Sequence, residues 1–171
     1  SSDWTAYPFA SQNDKDFDNL LDVYLDAVFF ARLHELDFAQ EGHRVELKDP
    51  EDPDSPLEFK GVVFNEMKGA MSSPVSQLWQ GISGALFPTT TYHYNSGGEP
   101  EAIVDLTYEQ LKSFYKTHYH PSNAIFMTFG NLDVADLQHR IDVQALDRFE
   151  KQDKEWRVDP EQRFSEPQVC E

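Results

Sequence analysis

The sequence predicts an α+β fold, with helices packed on one face of a small mixed or antiparallel sheet. Three observations predict it. Apolar residues recur at helical period over long stretches; a few short segments instead alternate or are apolar throughout, as strands do; and turn residues separate the two kinds. A chain of 171 residues with thirteen phenylalanines is long enough to bury one core. The expected organisation is a partial domain over residues 1–150 and a polar connector over 151–171, "KQDKEWRVDPEQRFSEPQVCE".

The elements follow in order. "DWTAYPFAS" has strand alternation and aromatic content, with Pro8 tolerable at an edge. Asn13 can cap a long helix whose apolar face is Phe17, Leu20, Leu21, Tyr24, Leu25, Val28 and Phe29, with Asp18, Asp22 and Asp26 opposite. "HRVELKD" reads as a short strand before the acidic, proline-bearing loop "DPEDPDSP". Ser55, Pro56 and Glu58 then have the spacing of a helix start: N-cap, proline at the first position, and a capping-box glutamate.

A further helix opens at Ser73-Pro74 and carries Val75, Leu78, Trp79, Ile82 and Leu86 on one side. "LFPTTTYHYNSGGEP" is a long loop, because its prolines and paired glycines oppose regular structure. Thr107 and Gln110 form a capping box before Leu111, Phe114 and Tyr115, and "HYHPSN" ends that helix. "AIFMTFG" is apolar throughout, as a central strand is. The last helix runs from about Asp133 to Phe149.

Composition narrows the function classes. Thirty-one acidic against fourteen basic residues give a net charge of −17, which argues against a nucleic-acid surface and favours solubility or attraction to basic peptides. One cysteine, Cys170, excludes an internal disulfide framework and a multi-cysteine zinc site. No apolar run has the roughly 20 residues that span a bilayer, so the expectation is a soluble protein without a membrane partner.

One residue breaks the pattern. Around "GVVFNEMKG" (61–69), Phe59, Val62, Val63, Glu66, Met67 and Ala70 share the spacing of one buried helix face, and Glu66 puts a carboxylate in it. A buried carboxylate needs a cation partner, a metal or the mouth of a cleft. No other chemical motif competes. His34-Glu35 fails as H-E-x-x-H because Phe38 stands where the second histidine belongs, and H-x-x-E-H occurs nowhere. His118 and His120, two apart beside a proline turn, read as capping or packing residues rather than ligands. There is no G-x-S-x-G, P-loop or G-x-G-x-x-G.

"KGVVFNEMKGAMSSP", "LFPTTTY", "SGGEPEAIVDLTYEQL" and "HYHPSNA", with "YPFAS", "DVYLDAVF" and "QEG" upstream, resemble the presequence-protease branch of the pitrilysin/insulinase family of zinc metallopeptidases. The resemblance covers nearly the whole chain. In that family two histidines of an H-x-x-E-H helix and a distal glutamate on a later helix hold zinc, and the glutamate inside the motif is the general base. The distal motif matches at Glu66, so the resemblance implies a zinc ligand there and answers why a carboxylate stands on that helix.

The resemblance also implies that the H-x-x-E-H helix would precede "TAYPFAS", which is where this chain starts. The expectation is therefore an internal fragment of a truncated metallopeptidase N-terminal domain. The parent would be a zinc-dependent endopeptidase acting on short, unstructured peptides, in a bacterial cytoplasm or an organelle matrix. The fragment alone would lack peptidase activity and tightly bound zinc, and would self-associate through surfaces exposed by truncation. The competing expectation is a fragment of a non-catalytic structural or assembly homologue, which the upstream sequence would decide.

Overall fold

The computed structural model describes residues 1–154 and 156–169, so Cys170 lies outside the described residues. The chain divides into two compact units that alternate along the sequence: residues 1–5, 33–108 and 157–171 form one, and residues 6–32 and 109–156 form the other. Among the described residues there are seven α-helices and one two-stranded antiparallel sheet, an α+β architecture.

The first unit is built on a β-hairpin flanked by helices. Helix α2 (Glu35–Glu41) leads into β1 (Arg44–Leu47), which pairs with β2 (Leu57–Lys60) in the register Arg44 with Lys60 through Leu47 with Leu57. This register sets Glu46 opposite Glu58, an arrangement of like charges that is unfavourable by itself. Lys60 relieves it, its Nζ standing 3.5 Å from each carboxylate, and Arg44 adds a second cation 3.1 Å from Glu46.

The expected helix start at Ser55 is not observed. Residues 57–60 are strand β2, Glu58 is spent on Lys60, and the Ser55 hydroxyl accepts the Asp49 N–H at 2.9 Å to close the intervening loop. The capping spacing was present, but cross-strand pairing with β1 outweighs it. Helix α3 (Val62–Ala70) begins only after Gly61. Gly61 packs against the Gly42 turn, where a Cβ would lie 2.0 Å from the Gly42 carbonyl oxygen, so only glycine fits.

Helix α4 (Pro74–Leu86) starts after Ser73 with proline in its first turn, as expected. Its apolar side, including Val75, Leu78, Trp79 and Leu86, is exposed. The stretch expected to be one long loop contains a short 3₁₀ turn at Thr91–His93 and the single-turn helix α5 (Pro100–Ile103). Ile103 and Phe64 are the buried apolar residues of this unit.

The second unit has the better core. Asn13 caps α1 (Asp14–Phe29) by accepting the Asp16 N–H at 3.0 Å, and Asp133 caps α7 (Val134–Gln144) through Ala135 N–H at 2.8 Å. Leu21, Leu25 and Phe29 of α1 cluster with Leu137 and Ile141 of α7 and with Ala145. Each buried leucine or phenylalanine contributes roughly 1.5–3 kcal/mol relative to exposure. Helix α6 (Tyr108–His118) carries Tyr115, whose hydroxyl donates to Val28 O at 2.7 Å and accepts the Ala31 N–H at 3.0 Å, fastening the end of α1.

Two expected strands are absent. Residues 4–11 form no ladder; Phe9 instead packs on Phe17 and Tyr24, with ring centroids 5.2 and 4.9 Å away. Residues 124–130 have the composition of a central strand but pair with nothing among the described residues. A strand needs neighbours for its N–H and C=O groups, and composition cannot provide them.

Candidate functional site

Glu66 is on a helix, α3, as the sequence predicts. It does not lie on the buried face that the expected stripe gives it. Phe64 is the buried residue of α3, with Val63 and Met67 half-buried, whereas Val62, Glu66 and Ala70 are exposed. The cause is the later helix start. Once Phe59 belongs to β2, the phase of α3 is set by Phe64, whose ring lies 6.2 Å from that of Phe59, and Glu66 turns outward.

Two hydrogen bonds join the helix bearing Glu66 to later parts of the chain. Asn95 donates from Nδ2 to Met67 Sδ at 3.6 Å, and Gln77 Nε2 donates to Met71 O at 3.0 Å at the C-terminal end of α3. Among the described residues no ion pair involves Glu66. Its carboxylate is exposed on α3.

The residues present do not amount to a zinc site. Such a site takes three protein ligands and a water, and among the described residues no group of three or more His, Cys, Asp or Glu side chains is placed to hold a metal. His118 and His120 are occupied otherwise. His118 stacks on Phe114 with centroids 4.2 Å apart, while His120 is buried, accepts the Ser122 N–H at 3.1 Å through Nδ1, and meets the Phe149 ring edge-on at 5.0 Å.

The sequence did not reveal a tyrosine cluster in the second unit. The Tyr7 and Tyr119 hydroxyls are 2.8 Å apart across 112 residues, and Tyr119 stacks on Tyr115 at 4.9 Å. Burial, then the hydrogen bond to Tyr119, holds the Tyr7 phenol well above the usual tyrosine range, and burial raises Tyr115 as well. The same unit has an open cleft of about 230 Å³ lined by Asp22, Asp26 and Phe30, with the Arg148 guanidinium 3.5 Å above the Phe30 ring. No short motif joins these positions, so neither feature was legible beforehand.

Among the described residues no helix is long and apolar enough to cross a membrane. Comparison with known proteins then places the chain. A family model described as Peptidase M16 inactive domain matches residues 105–171. The chain is 55% identical over 167 residues to the mitochondrial presequence protease of Xenopus tropicalis and 50% identical over 167 residues to that of Mus musculus, in each case across 98% of this chain and 16% of the relative. It is also 42% identical over 164 residues to Protein HypA of Clostridium perfringens, across 95% of this chain and 16% of that protein. The chain thus spans about one sixth of the length of these relatives, at 16%. With this agreement running through both compact units and through the helix of Glu66, the chain belongs to the pitrilysin/insulinase (M16) peptidase family, in its presequence-protease branch.

Proposed function

We propose that this chain is part of a zinc-dependent endopeptidase that degrades short unstructured peptides, and that Glu66 supplies the distal glutamate ligand of its metal. What supports this reading is the sequence around Glu66: the "GVVFNEMKG" motif on α3, in a chain related across 98% of its length to a presequence protease, whereas the exposure of Glu66 removes burial as an argument for a metal. The net charge of −17 supports basic or neutral peptides as partners over nucleic acid. Mitochondrial relatives support an organelle matrix as the compartment.

The chain's own contribution is a carboxylate and its placement. Alone it provides one of three protein ligands, so the isolated chain is inactive in this reading. The test uses the full-length protein. Glu66→Gln keeps the side-chain shape and removes the charge, so zinc content and peptide cleavage should both fall by tenfold or more while the thermal transition is retained, about the effect expected for loss of a ligand. Stoichiometric zinc in that variant would overturn the assignment.

A second reading is favoured by one observation. The family model over residues 105–171 is described as an inactive domain, which supports a non-catalytic, structural role for this part of the chain. An upstream H-x-x-E-H in the full-length protein selects the peptidase, and its loss selects a structural homologue.

A further inference from the structure

Sulfur is scarce in this chain, which has three methionines and one cysteine. Two of the three methionines serve one contact. Met67 is on α3 and Met71 is its C-cap residue, four positions later, so both side chains lie on the same side of the helix. Asn95 Nδ2 donates to Met67 Sδ at 3.6 Å, reaches Met71 Sδ at 3.8 Å, and donates to Gly98 O at 3.2 Å. With two N–H bonds for three acceptors, this amide is shared between the sulfurs and its own turn.

That turn is built against the sulfur. Gly98 N–H donates to Asn95 O at 3.0 Å, and Gly98 takes φ +90°, a conformation that favours glycine. Gly97 approaches so closely that a Cβ there would stand 2.2 Å from Met67 Sδ and 2.9 Å from its Cε. The Met67 thioether is the surface on which residues 95–98 rest. Both methionines nevertheless keep part of their surface open to solvent.

We propose that Met67 and Met71 are an oxidative modification site, and that conversion of Met67 to its sulfoxide by peroxide releases the 95–98 turn from α3. The sulfur lone pair attacks one oxygen of hydrogen peroxide, the O–O bond breaks and an S–O bond forms. The other oxygen leaves as water; sulfur is oxidised by two electrons and the peroxide is reduced. The new oxygen has no room toward the turn, because the Asn95 donor is already at 3.6 Å from sulfur and the Gly97 backbone closes the adjacent side. A polar sulfoxide also replaces a flexible apolar side chain at a packed contact. Reduction by a dithiol reverses the step: oxygen leaves as water, a disulfide forms on the reductant and the thioether returns.

Met127, 92% exposed, is a control within the same chain. The experiment treats the whole chain with graded hydrogen peroxide, follows each methionine by peptide mass mapping, and measures amide exchange and circular dichroism on the same samples. Met127 should oxidise first without changing exchange in the 95–98 turn. As Met67 and Met71 convert, exchange at Gly98 should rise roughly tenfold or more with helix content retained. Methionine sulfoxide reductase supplied with a dithiol should restore it. Met67→Leu keeps the volume and removes the sulfur, and should lose the response. Unchanged exchange after both conversions, an undiminished response in Met67→Leu, or resistance of both methionines until the helices melt would each overturn the proposal.

Discussion

Arg140 and Asp22 meet at 2.9 Å and tie α7 to α1 across 118 residues of chain. The guanidinium also holds the Asp18 carboxylate and donates to the Asp18 carbonyl at 3.2 Å, while Gln144 Nε2 donates to the Asp22 carboxylate at 2.7 Å. One half-buried cation serving two carboxylates is a network rather than an isolated surface pair. Arg140→Ala should cost about 1–2 kcal/mol in urea unfolding, whereas Lys151→Ala, which removes a fully solvated pair with Asp153, should stay within about 0.5 kcal/mol. Equal effects would show that the Arg140 network adds nothing.

The tyrosine cluster makes the second unit sensitive to base. Burial and the Tyr119 hydroxyl raise the Tyr7 phenol, and burial raises Tyr115. The folded state therefore keeps protons that the unfolded chain releases. This stabilisation is fully present below the ordinary tyrosine pKa of about 10 and is lost as pH rises above it toward the folded value. Stability measured by urea between about pH 9 and 11 should fall, and Tyr7→Phe should flatten that fall. An unchanged slope in the variant would remove Tyr7 from the account.

Gly61 governs the entry to the helix that bears Glu66. With the Gly42 carbonyl oxygen 2.0 Å from where a Cβ would stand, Gly61→Ala must push the α3 start away from the Gly42 turn. The expected cost is about 2 kcal/mol or more, read as a lowered urea midpoint. Gly69→Ala, where a Cβ meets nothing, should be neutral or stabilising by up to about 1 kcal/mol.

Residues 124–130 present a fourth expectation. Ile125, Met127 and Phe129 are 97%, 92% and 99% exposed along an uncharged segment. An apolar, unpaired segment of this composition recruits a strand partner, and in the isolated chain the available partner is a second copy. Sedimentation should show mass rising with concentration, and Met127→Lys should suppress the rise. A strict monomer at high concentration would refute self-association by this route.

Signals that act within a few residues were legible in the sequence. Asn13, Ser73-Pro74 and Asp133 each mark a helix start, Asn13 and Asp133 through side-chain caps on the helix beside them and Ser73-Pro74 through the proline in the first turn. The family was legible from motifs around Glu66, and so was the helix on which Glu66 stands. What failed depends on partners far away in sequence. The capping spacing at Ser55 lost to pairing between β1 and β2, and that loss shifted the phase of α3 and turned Glu66 outward. Residues 124–130 carry the composition of a strand without a neighbour to complete it. Asn95 reaching Met67, and Tyr7 reaching Tyr119, are contacts that no local period announces.

The alternation of the chain between its two units sets a schedule for synthesis. Helix α1 leaves the ribosome with Leu21, Leu25 and Phe29 uncovered, and the residues that cover them, Leu137, Ile141 and Ala145, come more than a hundred positions later. At ordinary translation rates the interval is on the order of ten seconds, far longer than a helix takes to form. Over that interval the growing chain carries the apolar face of α1 without the residues of α7 that cover it, and this face is one that a holding chaperone would grip.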